Sequence, residues 1–177
     1  MAAINKYEIE IPKDVQVSLQ GNQITVKGKN GELTRSMDMR FTKIENKENK
    51  IILTADSKRS VEKALTGTAA AHLKNIVQGV QKPHEYKLKI VYAHFPINVS
   101  VQKDRVEIKN FVGEKVPRQA NVIGKTRVEI KGQEIVVTGS NVEEAGQTAA
   151  NIEKATRIRG KDLRVFQDGI YITHKPE

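Results

Sequence analysis

Lys154, Arg157, Arg159, Lys161 and Arg164 fall within eleven residues, and Asp162 is the single acid among them. The chemistry such a run offers is charge neutralisation. Successive cations can follow the phosphates of a nucleic-acid backbone without reading its bases. Gly160 interrupts the run, which predicts a helix end followed by a basic loop. A helix C-terminus also attracts cations through its dipole. That effect accounts for Lys154 and Arg157 without a ligand, but not for the charges past Gly160. Phe166 and Tyr171 lie close by. Burial in a small core is the expected fate of both rings, with stacking on a base the alternative.

A second pattern, Gly28-Lys29-Asn30-Gly31, matches the Gly-x-x-Gly phosphate clamp of RNA-binding KH domains. That clamp joins two helices. Here the flanking residues alternate as strands do, so the reading is a tight turn, with Lys27 and Lys29 placed to touch phosphate. His72, His84, His94 and His174 show no metal-ligand spacing. His72 falls on an apolar helical face and is expected to pack in the core. No nucleophile elbow, Walker loop or dinucleotide fingerprint occurs. Glu107 and Lys109 alternate on a strand as a solvated face does. The sequence therefore argues against an enzyme, and no cofactor, metal or small-molecule substrate is expected.

Thirty Lys and Arg against 21 Asp and Glu give a net charge of +9. Residues 1–84 carry 14 basic and 9 acidic side chains, and the remainder 16 and 12, so both halves are basic. That balance points to a polyanionic partner, nucleic acid being the commonest. There is no cysteine, which excludes disulfides and thiol chemistry. No signal-peptide pattern and no run of ~20 apolar residues occurs, so the expectation is a cytoplasmic protein without a membrane partner.

The elements that must position the basic run come twice. Pro12-Lys-Asp-Val15-Gln-Val17 returns as Pro96-Ile-Asn-Val99-Ser-Val101. Ile24-Thr-Val26 answers Val106-Glu-Ile108, and Ile51-Ile-Leu-Thr54 answers Ile135-Val-Val-Thr138. Val61-Glu-Lys-Ala64 answers Val142-Glu-Glu-Ala145, and Thr68-Ala-Ala70 answers Thr148-Ala-Ala150. The repeat predicts tandem domains over 1–82 and 83–177.

In the first copy, period-two alternation predicts a hairpin about Gln20-Gly21-Asn22, a strand over 33–37, and a strand over 51–54 after a polar turn at 45–49. A 3.6-residue period then predicts a helix over about 58–78, with Asp56 and Ser57 as capping oxygens and Gly79 near its end. Its apolar stripe is Val61, Ala64, Leu65, Thr68, Ala69, His72, Leu73, Ile76, Val77 and Val80. The second copy repeats this order. Strands are expected at 86–92, 126–130 and 134–138, with Val99 and Val101 facing Val106 and Ile108. Ser140-x-x-Glu143 reads as a capping box before a helix over about 142–157. Asp168-Gly169 turns into an extra strand, Ile170 to Thr173. The fold class is α+β: two tandem small domains, each an antiparallel sheet packed against one helix.

Three runs carry a resemblance: Val91-Tyr-Ala-His-Phe-Pro-Ile-Asn-Val99, Val106-Glu-Ile-Lys-Asn-Phe-Val-Gly-Glu-Lys115 and Gly160-Lys-Asp-Leu-Arg-Val-Phe-Gln-Asp-Gly-Ile-Tyr-Ile172. Together they closely resemble the family of the universal sixth protein of the large ribosomal subunit, in its archaeal and eukaryotic form. The resemblance covers essentially the whole chain. It implies a non-enzymatic protein of two similar domains that binds large-subunit rRNA. It implies a place near the sarcin–ricin loop and the stalk base, beside neighbouring ribosomal proteins and close to where translational GTPases dock. It also implies that the second domain makes much of the rRNA contact, here over Arg157 to Arg164 and continuing toward His174 and Lys175. The ending departs from the Lys- and Gly-rich bacterial pattern and lacks the long tail of some eukaryotic members, so an archaeal source is expected. The alternative from another class is a non-ribosomal protein-interaction module that recruits partners along its sheet edges, its charge serving solubility.

Overall fold

A computed structural model describes residues 6–12, 14–20, 23–37, 42–47, 50–55 and 59–176. The chain divides into two compact units, Met1–Pro83 and His84–Glu177. The first holds β1 (Lys6–Glu10), β2 (Gln16–Gln20), β3 (Gln23–Gly28), β4 (Gly31–Ser36), β5 (Thr42–Lys47), β6 (Lys50–Ala55) and α1 (Ser60–Gln81). The second holds β7 (His84–Val91), β8 (Asn98–Gln102), β9 (Arg105–Lys109), β10 (Arg118–Asn121), β11 (Arg127–Lys131), β12 (Glu134–Gly139), α2 (Val142–Ala155) and β13 (Gly169–His174). Among the described residues all pairings are antiparallel.

The strands of each unit divide between two sheets rather than forming one. The orders are β1-β6-β5 with β2-β3-β4 in the first unit, and β13-β7-β12-β11 with β8-β9-β10 in the second. Strand for strand these are the same arrangement, and β13 is the addition. The α+β class stands. One helix packs on the strands of each unit, α1 against β1, β3, β4, β5 and β6, and α2 against β7, β10, β12 and β13. Strands β1, β5 and β10 carry no clear alternation in the sequence. In β1 and β10 only Ile9 and Ala120 are buried. Such strands exist because neighbours pair with them, which local pattern cannot register.

Pairing also corrects the alignment of the two copies. Val17 lies opposite Val26, and Val99 lies opposite Ile108, so Val17 corresponds to Val99 and not to Val101. The slip is two residues. Because side chains alternate with period two, a two-residue slip keeps every residue on its face and leaves the apolar pattern intact. In the helices, the buried pair Ala69 and Ala70 corresponds to Thr148 and Ala149, while Thr68 is exposed. The shared Thr-Ala-Ala is thus one residue out of step. One contact supports this register. The Tyr7 hydroxyl lies where a Cβ on Gly67 would meet it at 3.1 Å, and the Tyr86 hydroxyl where one on Gly146 would meet it at 2.8 Å.

The buried face of α1 is Glu62, Thr66, Ala69, Ala70, Leu73, Ile76, Val77 and Val80. It departs from the expected stripe in the first two turns, where Val61, Ala64 and Leu65 are exposed. The C-terminal half fixes the helix rotation, and its 3.6 period carried backward lands on Thr66 and Glu62. The Thr66 hydroxyl is satisfied by the Glu62 carbonyl and the Thr42 hydroxyl, each at 3.0 Å. His72 is half-buried, 3.4 Å from an Arg35 nitrogen, and not a core residue.

The caps differ from expectation too. Asp56 and Ser57 lie outside the described residues, as do Gly21, Asn22, Glu48 and Asn49 of the expected turns. The N-cap position of α1 is Arg59, without a side-chain cap bond. Strand β5 runs to Lys47, into the expected polar turn. Gly79 is buried inside α1, which ends two residues later. In α2 the cap is Asn141, one residue past Ser140. Its Oδ1 accepts the Glu143 N–H at 3.1 Å, and its amide donates to Glu144 at 3.1 Å.

Candidate nucleic-acid interface

The basic segment begins in the last turn of α2. The helix stops at Ala155, so Lys154 is helical and Arg157 already lies beyond it, two residues short of the expected end. Buried Thr156 closes the helix. Its N–H and that of Arg157 turn back to Glu153 and Lys154 carbonyls at 3.2 Å, a tightening common in last turns. The Thr156 hydroxyl donates to the Glu153 carbonyl at 3.1 Å and accepts the Ile170 N–H at 2.9 Å. Chain entering and chain leaving the basic loop are therefore tied at one residue.

Arg118, the first residue of β10, is the second tie. Its guanidinium donates to the carbonyls of Ala155 at 2.9 Å and Arg157 at 3.0 Å. The same group holds both Glu114 carboxylate oxygens, at 2.6 and 2.8 Å, and lies 4.3 Å over the Phe111 ring. That hydrogen bond is the main reason the Glu114 carboxyl is held below the usual carboxylate range. No pattern in the sequence marks Arg118, because its partners are backbone carbonyls of a distant helix end.

Past Gly160, whose φ of 69° suits glycine, the loop turns on Asp162. Its Oδ1 accepts the Arg164 N–H at 2.9 Å, and its carbonyl accepts from Val165 and Phe166 at 3.2 and 3.0 Å. The one acid in the run thus shapes the turn. Its ion pair with Arg164 is loose, at 4.0 Å. Lys161 lies 4.7 Å over the half-buried Phe166 ring. Tyr171 is 44 % exposed, contrary to the expected burial. It follows Ile170, which points into the core, and strand alternation turns it outward.

The structure therefore gathers Lys154, Arg157, Arg159, Lys161 and Arg164 along one pinned, exposed segment. His174 ends β13 and Lys175 follows it. The strand passes beside the start of the segment, where the Ile172 N–H donates to the Glu153 carboxylate at 3.2 Å. In the first unit, Lys29 pairs with Asp14 at 2.8 Å and Lys27 with Glu32 at 3.2 Å. The Asp14 hydrogen bond, reinforced by its charge, raises the Lys29 pKa. The Gly-x-x-Gly turn has a structural task as well. The Asn30 N–H donates to the Val80 carbonyl at 3.1 Å and its side-chain amide to the Gln81 carbonyl at 2.8 Å, closing the end of α1. It is a turn between strands and not a phosphate clamp.

Among the described residues no group of carboxylates, histidines or cysteines is arranged to hold a metal ion, and no helix is long and apolar enough to cross a membrane. Two basic sheet-and-helix repeats, the second with a cationic segment past its helix, define a tandem-repeat α+β class of protein. The sequence profile of the family "Ribosomal protein L6" matches residues 11–83 and 95–169, one match in each unit. Large ribosomal subunit protein uL6 of Methanobrevibacter smithii is 48% identical over 175 residues, spanning 99% of this chain and 98% of its own. The uL6 proteins of Archaeoglobus fulgidus and Methanocella arvoryzae are 49% and 48% identical, covering 95% and 99% of this chain and 88% and 99% of theirs. The chain belongs to the ribosomal protein L6 family, in its archaeal form, and is a structural protein rather than an enzyme.

Proposed function

We propose that the chain is a structural constituent of the large ribosomal subunit, in the cytoplasm, and that it grips large-subunit rRNA through Lys154, Arg157, Arg159, Lys161 and Arg164. The observation that carries this reading is the contrast in how cations are used. In the first unit Lys6, Lys27, Lys29 and Lys50 pair with nearby carboxylates. Of the five in the basic segment, only Arg164 has a carboxylate within 4.0 Å among the described residues, and Lys161 feels the Glu114 charge from farther away. Cations without a close carboxylate, on a backbone tied at Thr156 and Arg118, are presented for phosphate at little ordering cost. His174 and Lys175, at the end of β13, would continue the contact.

At the β13 edge the interaction-module reading fits less well. The outward N–H groups of Ile170 and Ile172 on β13 are taken by Thr156 and by Glu153, at 2.9 and 3.2 Å. That edge is closed to an added strand. As the resemblance implies, the rRNA partner would be the region of the sarcin–ricin loop and stalk base, supporting the docking region of translational GTPases beside neighbouring ribosomal proteins.

Replacing Arg157, Arg159, Lys161 and Arg164 together by alanine tests the grip. Binding to a large-subunit rRNA fragment should weaken, and the dependence of log K on log salt should flatten by roughly 0.9 per lost phosphate contact. An unchanged slope would sink the assignment. Crosslinking in intact subunits tests the location, with crosslinks from the basic segment expected at the sarcin–ricin loop and stalk base.

A further inference from the structure

Beside the cations lies a feature that charge neutralisation does not use. A hollow of about 360 Å³ opens between the end of α2, the basic loop and β13. Its walls include Ile158, Leu163, Ile170 and Tyr171, with Lys154 and Arg157 at it as well; Glu153 and Thr156 also line it, their side-chain oxygens accepting the Ile172 and Ile170 N–H groups. Leu163 is 64 % exposed, and so is much of Tyr171. Exposed apolar side chains are common singly, but here two adjoin at one hollow, and contiguous apolar surface is what marks a binding site. The volume is at the lower end of the roughly 300–1,000 Å³ usual for small-ligand sites.

The Tyr171 ring is held in place. Its hydroxyl donates to the Gln167 carbonyl at 3.1 Å, and the ring lies across Gly169, where an added Cβ would meet it at 3.1 Å. An apolar floor, a fixed aromatic ring and two cations together match a ligand with a flat apolar part joined to an anion. A nucleotide whose base has left the helical stack is such a ligand. A paired base keeps its faces against its neighbours and has none to offer.

We infer that this hollow receives an unpaired nucleobase of RNA, with Tyr171 as the stacking face and Lys154 and Arg157 on the adjoining phosphates. The inference rests on the rRNA-binding reading and adds to it a preference for a bulged or single-stranded nucleotide. Stacking on an aromatic side chain is largely indifferent to which base it is, so the site selects flexibility of the RNA and not its sequence.

The test uses the full chain and three RNA probes: a mixed-sequence single-stranded decamer, an abasic decamer of the same backbone, and a duplex of the same length. The chain has no tryptophan, so Tyr171→Trp supplies a single tryptophan at the site, excited apart from the remaining tyrosines. The single-stranded decamer should quench its emission and bind the unmodified chain about tenfold more tightly than the abasic decamer. Leu163→Ser and Tyr171→Ser should lose that advantage with the salt slope unchanged, since no cation is removed. Equal affinity for the abasic and base-bearing decamers overturns the inference and leaves the phosphate grip standing. So does a duplex that binds as tightly as the single strand, or emission that does not change on binding. Failure of the unmodified chain to bind any of the three at low salt overturns the rRNA reading and this inference with it.

Discussion

The ends of α1 and α2 are closed from corresponding stretches of the two repeats, but by different groups. In the first unit Asn30, in the β3–β4 turn, satisfies the carbonyls of Val80 and Gln81 with neutral donors. In the second, Arg118, after the β9–β10 connection, takes Ala155 and Arg157. A guanidinium offers five donors in a plane, so it can hold a carboxylate and two carbonyls at once. The asparagine ends a helix, after which the chain leaves at Pro83. The arginine ends a helix and also fixes the residue after it, where the basic segment begins. The second copy thus closes its helix with a group that also orders the chain beyond it.

The largest effects should show that the two cores are equivalent. Leu73 and Ile152 are both fully buried at matching helix positions. Leu73→Ala and Ile152→Ala should each destabilise by about 2–5 kcal/mol in chemical denaturation. A large inequality would break the correspondence drawn from burial.

The helix ends should then differ. Arg118→Ala removes charge-assisted bonds and uncovers Phe111, and should cost about 2–3 kcal/mol. It should also lower rRNA-fragment affinity and raise hydrogen exchange over residues 156–160. Asn30→Ala keeps its backbone bond and should cost about 1 kcal/mol with no effect on RNA binding. Equal effects on RNA would remove the reason for treating Arg118 as a positioning residue.

Acid should sharpen the same contrast. The folded-state pKa of Glu114 is lowered, chiefly by its hydrogen bond to Arg118. Its stabilising contribution is therefore present above the unfolded value of about 4.5 and is lost as pH falls through the lower folded value. The carboxylate is partly exposed, so solvent screening keeps the effect small. Melting temperatures of the parent chain and Glu114→Gln should differ at pH 6 and converge in acid.

The smallest effect concerns the helix glycines. Alanine gains about 1 kcal/mol in helix propensity over glycine. At Gly67 the Tyr7 hydroxyl need give way only slightly, so Gly67→Ala should be neutral or stabilising. At Gly146 the new Cβ meets the Tyr86 hydroxyl at 2.8 Å and its ring carbon at 3.2 Å, so Gly146→Ala should be the worse of the two. Thermal melts of both variants decide the order.

The sequence by itself determined the duplication, the α+β class and the strands with strong alternation. It also picked out the cationic run, because apolar periodicity and charge are local properties of a chain. Val99, Val101, Val106 and Ile108 paired as their pattern demands. Pattern alone missed β1, β5 and β10, misplaced the hairpin alignment by two residues, and expected Tyr171 in the core. Each depends on what lies across space: a partner strand, a register that alternation cannot distinguish, or the side of an edge strand on which the helix packs. The same holds for the site. The sequence supplied five cations within eleven residues; tertiary structure decided how the segment that carries them is held. It tied that segment at Thr156 and Arg118 and brought β13 alongside its start. Hydrogen bonds to backbone carbonyls leave no side-chain pattern along the chain, so only the folded arrangement brings them to light.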